Sequence, residues 1–274
     1  MSKPAVLLHV EELDEAGIEE ICIVVQETDL HALTLLFHEK LSPQNFSKLN
    51  DAQKRYAKRL SRLGLKVKLL VQKLQEGMGH AVLTAREFVN KEPFLLVIAH
   101  HLMTSTKPSS NCFQQTLKAF DDGGAKDTVA VRVVDSSAVS NFGIVTCAGG
   151  ALARGDESKA KNNMSVTKIV EKPTPAFAAA NLRTGFLRPG NFLSVFGIYI
   201  LHPHIFDIIK SMVDTNNRTR GQFSLTEALN LVRRHHEINA ILIEGNRYDL
   251  TSPEKYASAV QIFAGGRGGG KMMS

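Results

Sequence analysis

The side chains of this chain that could act on a ligand fall where apolar runs end. The stretch VQKLQEGMGHAV at 71–82 sets Gln72 and two glycines, Gly77 and Gly79, between a strand and a helix, and FLLVIAHH at 94–101 closes a second apolar run with His100 and His101. In an open α/β sheet, ligands collect beyond the carboxyl ends of the strands, which makes Gln72 and the histidine pair candidates for contact. A glycine has no Cβ, so the backbone at 77 and 79 can come close to a flat or anionic group. Taken alone, the first segment reads equally well as an ordinary glycine turn with a surface glutamine. Glu171 and Lys172, taken alone, read as an exposed ion pair at a strand end, worth little energetically.

Alternating elements must position these residues. Val6, Val10 and Leu13 recur at helical spacing, Gly17 follows as a stop, and Ile21 to Val25 is continuously apolar, so helix then buried strand is expected. Leu30, Leu33, Leu36 and Phe37 give a second helix; Ser42-Pro43 opens a third that carries a basic cluster as far as Gly64. Strands are expected at 65–71, 94–99, 128–134, 142–147, 166–171, 192–201 and 240–244, with helices at 81–89, 112–120, 205–213 and 225–234 and a last one from Pro253. The 94–99 run is apolar throughout, as in a strand covered on both faces. This alternation implies a mostly parallel, doubly wound, Rossmann-like α/β sheet. Residues 148–165 are small, polar and aperiodic and read as a mobile β-hairpin excursion, and 183–190 is irregular. One domain over 1–264 is expected, with the glycine-rich 265–274 a disordered tail.

With 274 residues, 43% of them hydrophobic, the chain can bury a sizeable core. No apolar run approaches the roughly 18 residues of a membrane span, and acidic residues come too early for a signal peptide, so a cytoplasmic protein is expected. Cys22, Cys112 and Cys147 lie far apart without a CxxC pair, which argues against a disulfide framework or a zinc site. The net charge of +6 owes much to lysines and arginines between 54 and 68, whose helical spacing suits a solvated face better than a nucleic-acid stripe.

Five segments, VQKLQEGMGHAV, FLLVIAHHL, NFGIV, IVEKP and GNRYDL, stand in a telling order. Together they resemble the sugar-1-phosphate nucleotidyltransferases, most closely those that make UDP-glucose from UTP and glucose 1-phosphate, from about Lys3 to Phe263. The resemblance implies a nucleotidyltransferase-type sheet, with UTP, glucose 1-phosphate and UDP-glucose as partners, Mg2+ as cofactor and room for a homo-oligomer. It projects Gln72 and Gly77 onto the nucleotide base, an amide supplying both donor and acceptor to a pyrimidine edge. Gly143 is projected along the sugar, Glu171 onto sugar hydroxyls, Lys172 onto the sugar phosphate as a point charge, and Asn191 beside the sugar pocket. Asp249 falls where the family has an aspartate that helps to hold magnesium. GQFSLTEAL resembles a GEIQLTDAL segment, with Gln222 and Ser224 in place of Glu and Gln.

Two departures bear on catalysis. The GxGTRxxP loop that cradles a triphosphate in the family is not in this sequence, whose opening KPAVLLHVEELDEAGI matches the family's next segment; the expectation is an N-terminally truncated member. His100 stands where relatives place a magnesium aspartate, and neutral imidazole is a poor ligand for a hard cation. Losing several kcal/mol of charge stabilisation would slow transfer by roughly 10³. The reading is therefore uridylyl transfer impaired in this chain, the alternative a non-catalytic sugar-nucleotide-binding homologue.

Overall fold

The computed structural model describes residues 3–148 and 164–264, so most of the excursion expected at 148–165 and all of the tail at 265–274 lie outside the described residues. In chain order, α1 (Ala5–Glu15) leads to β1 (Ile21–Val25), followed by α2 (Glu27–Phe37), α3 (Pro43–Ser47) and α4 (Asp51–Lys66). Then come β2 (Val67–Val71), α5 (Met78–Thr84), α6 (Arg86–Val89), β3 (Phe94–Val97) and β4 (His101–Ser105). After α7 (Cys112–Asp122) lie β5 (Asp127–Asp135), β6 (Gly143–Ala148) and β7 (Met164–Glu171). The rest is α8 (Pro175–Asn181), β8 (Asn191–Leu201), α9 (His204–Asp214), α10 (Leu225–Val232), β9 (Ile238–Leu242), β10 (Gly245–Asp249) and α11 (Pro253–Ala264).

Six strands form the main sheet in the order β3-β8-β5-β9-β7-β6, with β6 also touching β8. Strands β5 and β9 run parallel, and β8 runs antiparallel to β3 and β5. A parallel pair, β1 and β2, and an antiparallel pair, β10 and β4, stand beside it. Helices cover both faces, as a doubly wound sheet requires. On one face α9 and α10 bury Phe206, Ile209, Leu229 and Val232 against Val129, Val131 and Leu193. On the other, Leu7 and Val10 of α1, Leu63 of α4 and Phe113 of α7 pack with Ala130, Phe196 and Ile198.

Several boundaries differ from the sequence expectation for local reasons. The helix expected from Ser42 to Gly64 is two: Asn50 caps α4 through a reciprocal box with Gln53, and such a cap is worth about 1 kcal/mol. Gly64 does not end α4. A Cβ there would lie 1.8 Å from the Phe37 carbonyl oxygen, so the glycine lets α4 close on the end of α2. Leu65, expected to begin a strand, is 85% exposed on the last turn of α4. The helix expected at 81–89 begins earlier, at Met78, and divides into α5 and α6. Strand β3 is half-buried along its length, contrary to the covered strand its composition suggests. Its only strand partner among the described residues is β8. Strand β1 likewise pairs only with β2, and both β1 and β3 border the same core cluster.

Candidate functional site

Gln72 follows β2 directly, its backbone N–H donating to the Val25 carbonyl at 2.8 Å. Its side-chain Nε2 lies 3.3 Å from the Gly77 carbonyl oxygen and 3.1 Å from His80 Nδ1. Both contacts suit an amide nitrogen, and Oε1 has no hydrogen-bond partner among the described residues. Gly77 caps the start of α5 with φ of 104°, and a Cβ there would come 2.8 Å from Gln222 Cβ and 2.9 Å from the Phe223 carbonyl oxygen. Gly79 is equally confined, its Cβ position 2.8 Å from that same oxygen. Both glycines are therefore required by packing.

The segment that confines them is 218–226. Phe223 donates its N–H to the Glu76 carbonyl and accepts from the Gly79 N–H, both at 2.8 Å, while Arg218 pairs with Glu76 and stacks over the Phe223 ring. Three residues on, in the first turn of α10, the Thr226 hydroxyl donates to Glu171 Oε2 at 2.8 Å. One short segment thus ties the glycine turn to the Glu171 end of the site. The sequence showed this segment only as a likeness, not as a brace.

At that second end, Gly143 and Glu171 are register partners across β6 and β7, and a Cβ on Gly143 would lie 3.2 Å from Glu171 Oε2. Lys172 takes the left-handed backbone region, φ 45°, with its N–H on the Phe142 carbonyl. Gly143, Glu171 and Lys172 are thus together. Asn191 begins β8 opposite Asp135 and lines a cavity of about 350 Å³ with Arg132, Asp135, Phe142, Arg247 and Asp249.

His101 pairs in register with Asp249, and the His100 carbonyl accepts from the Leu250 N–H, so both candidate metal positions lie where β4 and β10 meet. The His100 and His101 rings meet edge to face with centroids 4.3 Å apart. Burial lowers the His100 imidazole below its ordinary value; Asp249 opposes this, and Lys172, Arg247 and Lys255 add to it. His101 is buried, its Nδ1 has no hydrogen-bond partner, and burial with the nearby Arg247 charge holds it near 3, neutral at any ordinary pH. Burial works against a charged Asp249, but hydrogen bonds overcome it: Lys255 Nζ at 2.7 Å on Oδ2, and the Thr251 N–H at 2.8 Å and hydroxyl at 2.6 Å on Oδ1. The carboxyl is held well below the usual range.

Lys255, Thr226 and the Arg132–Arg247 cavity were not expected. A lone arginine inside the valine strand VAVRVVD was the one available signal for Arg132. Among the described residues, no group of three His, Cys, Asp or Glu side chains is placed to hold a metal ion. No described helix is long and apolar enough to cross a membrane.

Comparison with known proteins matches residues 1–262 to a family model described as Nucleotidyl transferase. A UTP–glucose-1-phosphate uridylyltransferase of Bacillus subtilis is 29% identical over 253 residues, spanning 91% of this chain and 75% of the relative. A second such enzyme, from Staphylococcus saprophyticus, is 27% identical over 259 residues, spanning 91% and 77%. Among solved structures, a UDP-glucose pyrophosphorylase in complex with UDP-glucose superimposes with a TM-score of 0.75 at 25% identity, over 97% of this chain and 88% of that one. A UTP-bound homologue from Acinetobacter baumannii, at 23% identity and a TM-score of 0.72 over 96% and 82%, shares the fold.

Proposed function

We propose that this chain, which belongs to the nucleotidyl transferase family, transfers a uridylyl group from UTP to glucose 1-phosphate, giving UDP-glucose and pyrophosphate. The observation that carries the reading is the orientation of Gln72. With Nε2 held by Gly77 and His80, Oε1 is left as an acceptor. An acceptor suits N3–H of uracil and opposes cytosine, whose N3 is itself an acceptor. Thymine shares the uracil edge, and the uridylyltransferase relatives favour uracil.

In the reaction an oxygen of the sugar phosphate attacks the α-phosphorus of UTP in line. The bond to the β-phosphate breaks, and pyrophosphate leaves with the electron pair. Such a transfer rests on positioning and charge neutralisation. Gln72 and Gly77 orient the base, Gly143 and Glu171 seat the sugar, and Lys172 brings positive charge to the sugar phosphate. The surroundings of Asp249 are a poor magnesium cage. Both oxygens of that one carboxylate are engaged, and the neighbouring donors are imidazoles, which a hard cation disfavours.

The Lys255–Asp249 pair favours a second reading, sugar-nucleotide binding without turnover. Pyrophosphate release from UTP and glucose 1-phosphate separates the two. Release with UTP and none with CTP supports transfer; no release together with a thermal shift from UDP-glucose supports binding alone. A chain that neither releases pyrophosphate nor binds UDP-glucose overturns both.

A further inference from the structure

The cavity beside Asp249 has an imbalance of charge that the uridylyl-transfer reading does not use. The side chain of Arg132, on β5, enters no hydrogen bond or ion pair among the described residues. Arg247, on β10, stacks its guanidinium over the Phe142 ring with the Cζ atom 3.7 Å from the ring centroid, and donates to the Val195 carbonyl. A guanidinium carries five N–H donors, so most of those on Arg247 have no described partner. The two arginines lie close enough to disfavour each other: burial first, and then the Arg132 charge, bring Arg247 down to about 10. The carboxylates of the cavity are turned elsewhere. Asp135 accepts from the Ser137 N–H and hydroxyl, and Asp249 is held by Thr251 and Lys255. Two cations with free donors thus face a space of about 350 Å³, the size of a small-ligand site.

We propose that this cavity is an oxyanion subsite of the acceptor, in which Arg132 and Arg247 take the carboxylate of an acidic sugar 1-phosphate, a uronic acid 1-phosphate being the simplest. The inference rests on the uridylyl-transfer reading, since it places the acceptor's sugar next to Gly143 and its phosphate near Lys172. The planar fork of arginine matches a carboxylate in two-point contact, which lysine cannot do. Phe142 fixes the plane of one fork, and Arg132 lines the same cavity from β5.

The test titrates the full chain, with UTP present, against glucose 1-phosphate, glucuronic acid 1-phosphate and inorganic phosphate by calorimetry, and against UDP-glucose alone. The acidic sugar phosphate should bind roughly ten- to a hundredfold more tightly than glucose 1-phosphate. Arg132→Met should bring that ratio close to one, and Arg132→Lys should retain part of it, with unchanged thermal unfolding showing that both variants fold. Equal affinity for the two sugar phosphates overturns the inference and leaves uridylyl transfer standing. Inorganic phosphate binding as tightly as the acidic sugar phosphate, with R132M weakening both alike, makes the cavity a free-anion site and overturns the acceptor assignment. Failure to bind either sugar phosphate or UDP-glucose removes both readings together.

Discussion

The ammonium of Lys255 lies 2.7 Å from Oδ2 of Asp249, so the carboxylate that closes β10 already has a cation beside it. The lysine is half exposed, and such a pair is worth no more than about 1 kcal/mol. Lys255→Met should therefore free Oδ2 and tighten magnesium binding up to roughly fivefold in the presence of UTP. A magnesium titration followed by thermal shift, with wild type and variant side by side, measures this. Unchanged half-saturation would show that the lysine is no competitor.

Gly77 is held at φ 104° between Gln222 and Phe223, where a side chain has no room. Gly77→Ala should cost about 2–3 kcal/mol of stability, from backbone strain and the contact with the Phe223 carbonyl together. Urea unfolding gives the number. The variant should also lose its thermal shift with UDP-glucose, because the backbone that must move carries the carbonyl to which the Gln72 amide donates.

Thr226 reaches Glu171 Oε2 from the first turn of α10. Replacing it with valine keeps the shape and removes one hydrogen bond to a charged acceptor, worth about 1.5–3 kcal/mol. The expected result is a raised KM for the sugar phosphate with the KM for UTP little changed. Equal increases in both would mean that Thr226 acts on the brace as a whole and not on Glu171.

Asp14 joins α1 to α4 through Lys66 Nζ at 2.8 Å and an Arg62 nitrogen at 3.0 Å. The hydrogen bond from Lys66 lowers its carboxyl below the ordinary 3.8, against a smaller effect of burial. A carboxyl depressed on folding stabilises fully above its unfolded value and loses that contribution as the pH falls through the lower folded value. Urea midpoints should therefore separate wild type from Asp14→Asn at pH 7 and converge towards pH 3. A gap that persists at the lower pH would point to packing, not charge.

Much of this molecule was legible because its signals are local. Helix α1, strands β1 and β5 and helix α9 follow from periodicity and apolar runs, and the likeness of VQKLQEG, NFGIV and IVEKP to the family's segments picked out residues that the fold does bring together in pairs. What escaped depends on contacts between distant segments. Gly64 reads as a helix stop until Phe37 is packed against it. Strands β4 and β10, HLMTS and GNRYD, are too short and polar to announce a pairing, yet they carry His101 and Asp249 into register. The Arg132–Arg247 cavity is lined by β5 and β10, which are far apart in the chain, and Lys255 meets Asp249 only because the turn at Thr251 brings the start of α11 back over β10.

The unpaired edges of β1 and β3 carry a wider consequence. Each strand has one side without a strand partner among the described residues, and the apolar side chains of β3 and of the middle of β1 are half-covered. Backbone donors and acceptors on such an edge turn to solvent, and their amides should exchange with deuterium faster than those of the buried ladder between β5 and β8. An unpaired strand edge is also a template for any extended chain, including a second copy of this one. Association at high concentration is the behaviour that these two edges favour.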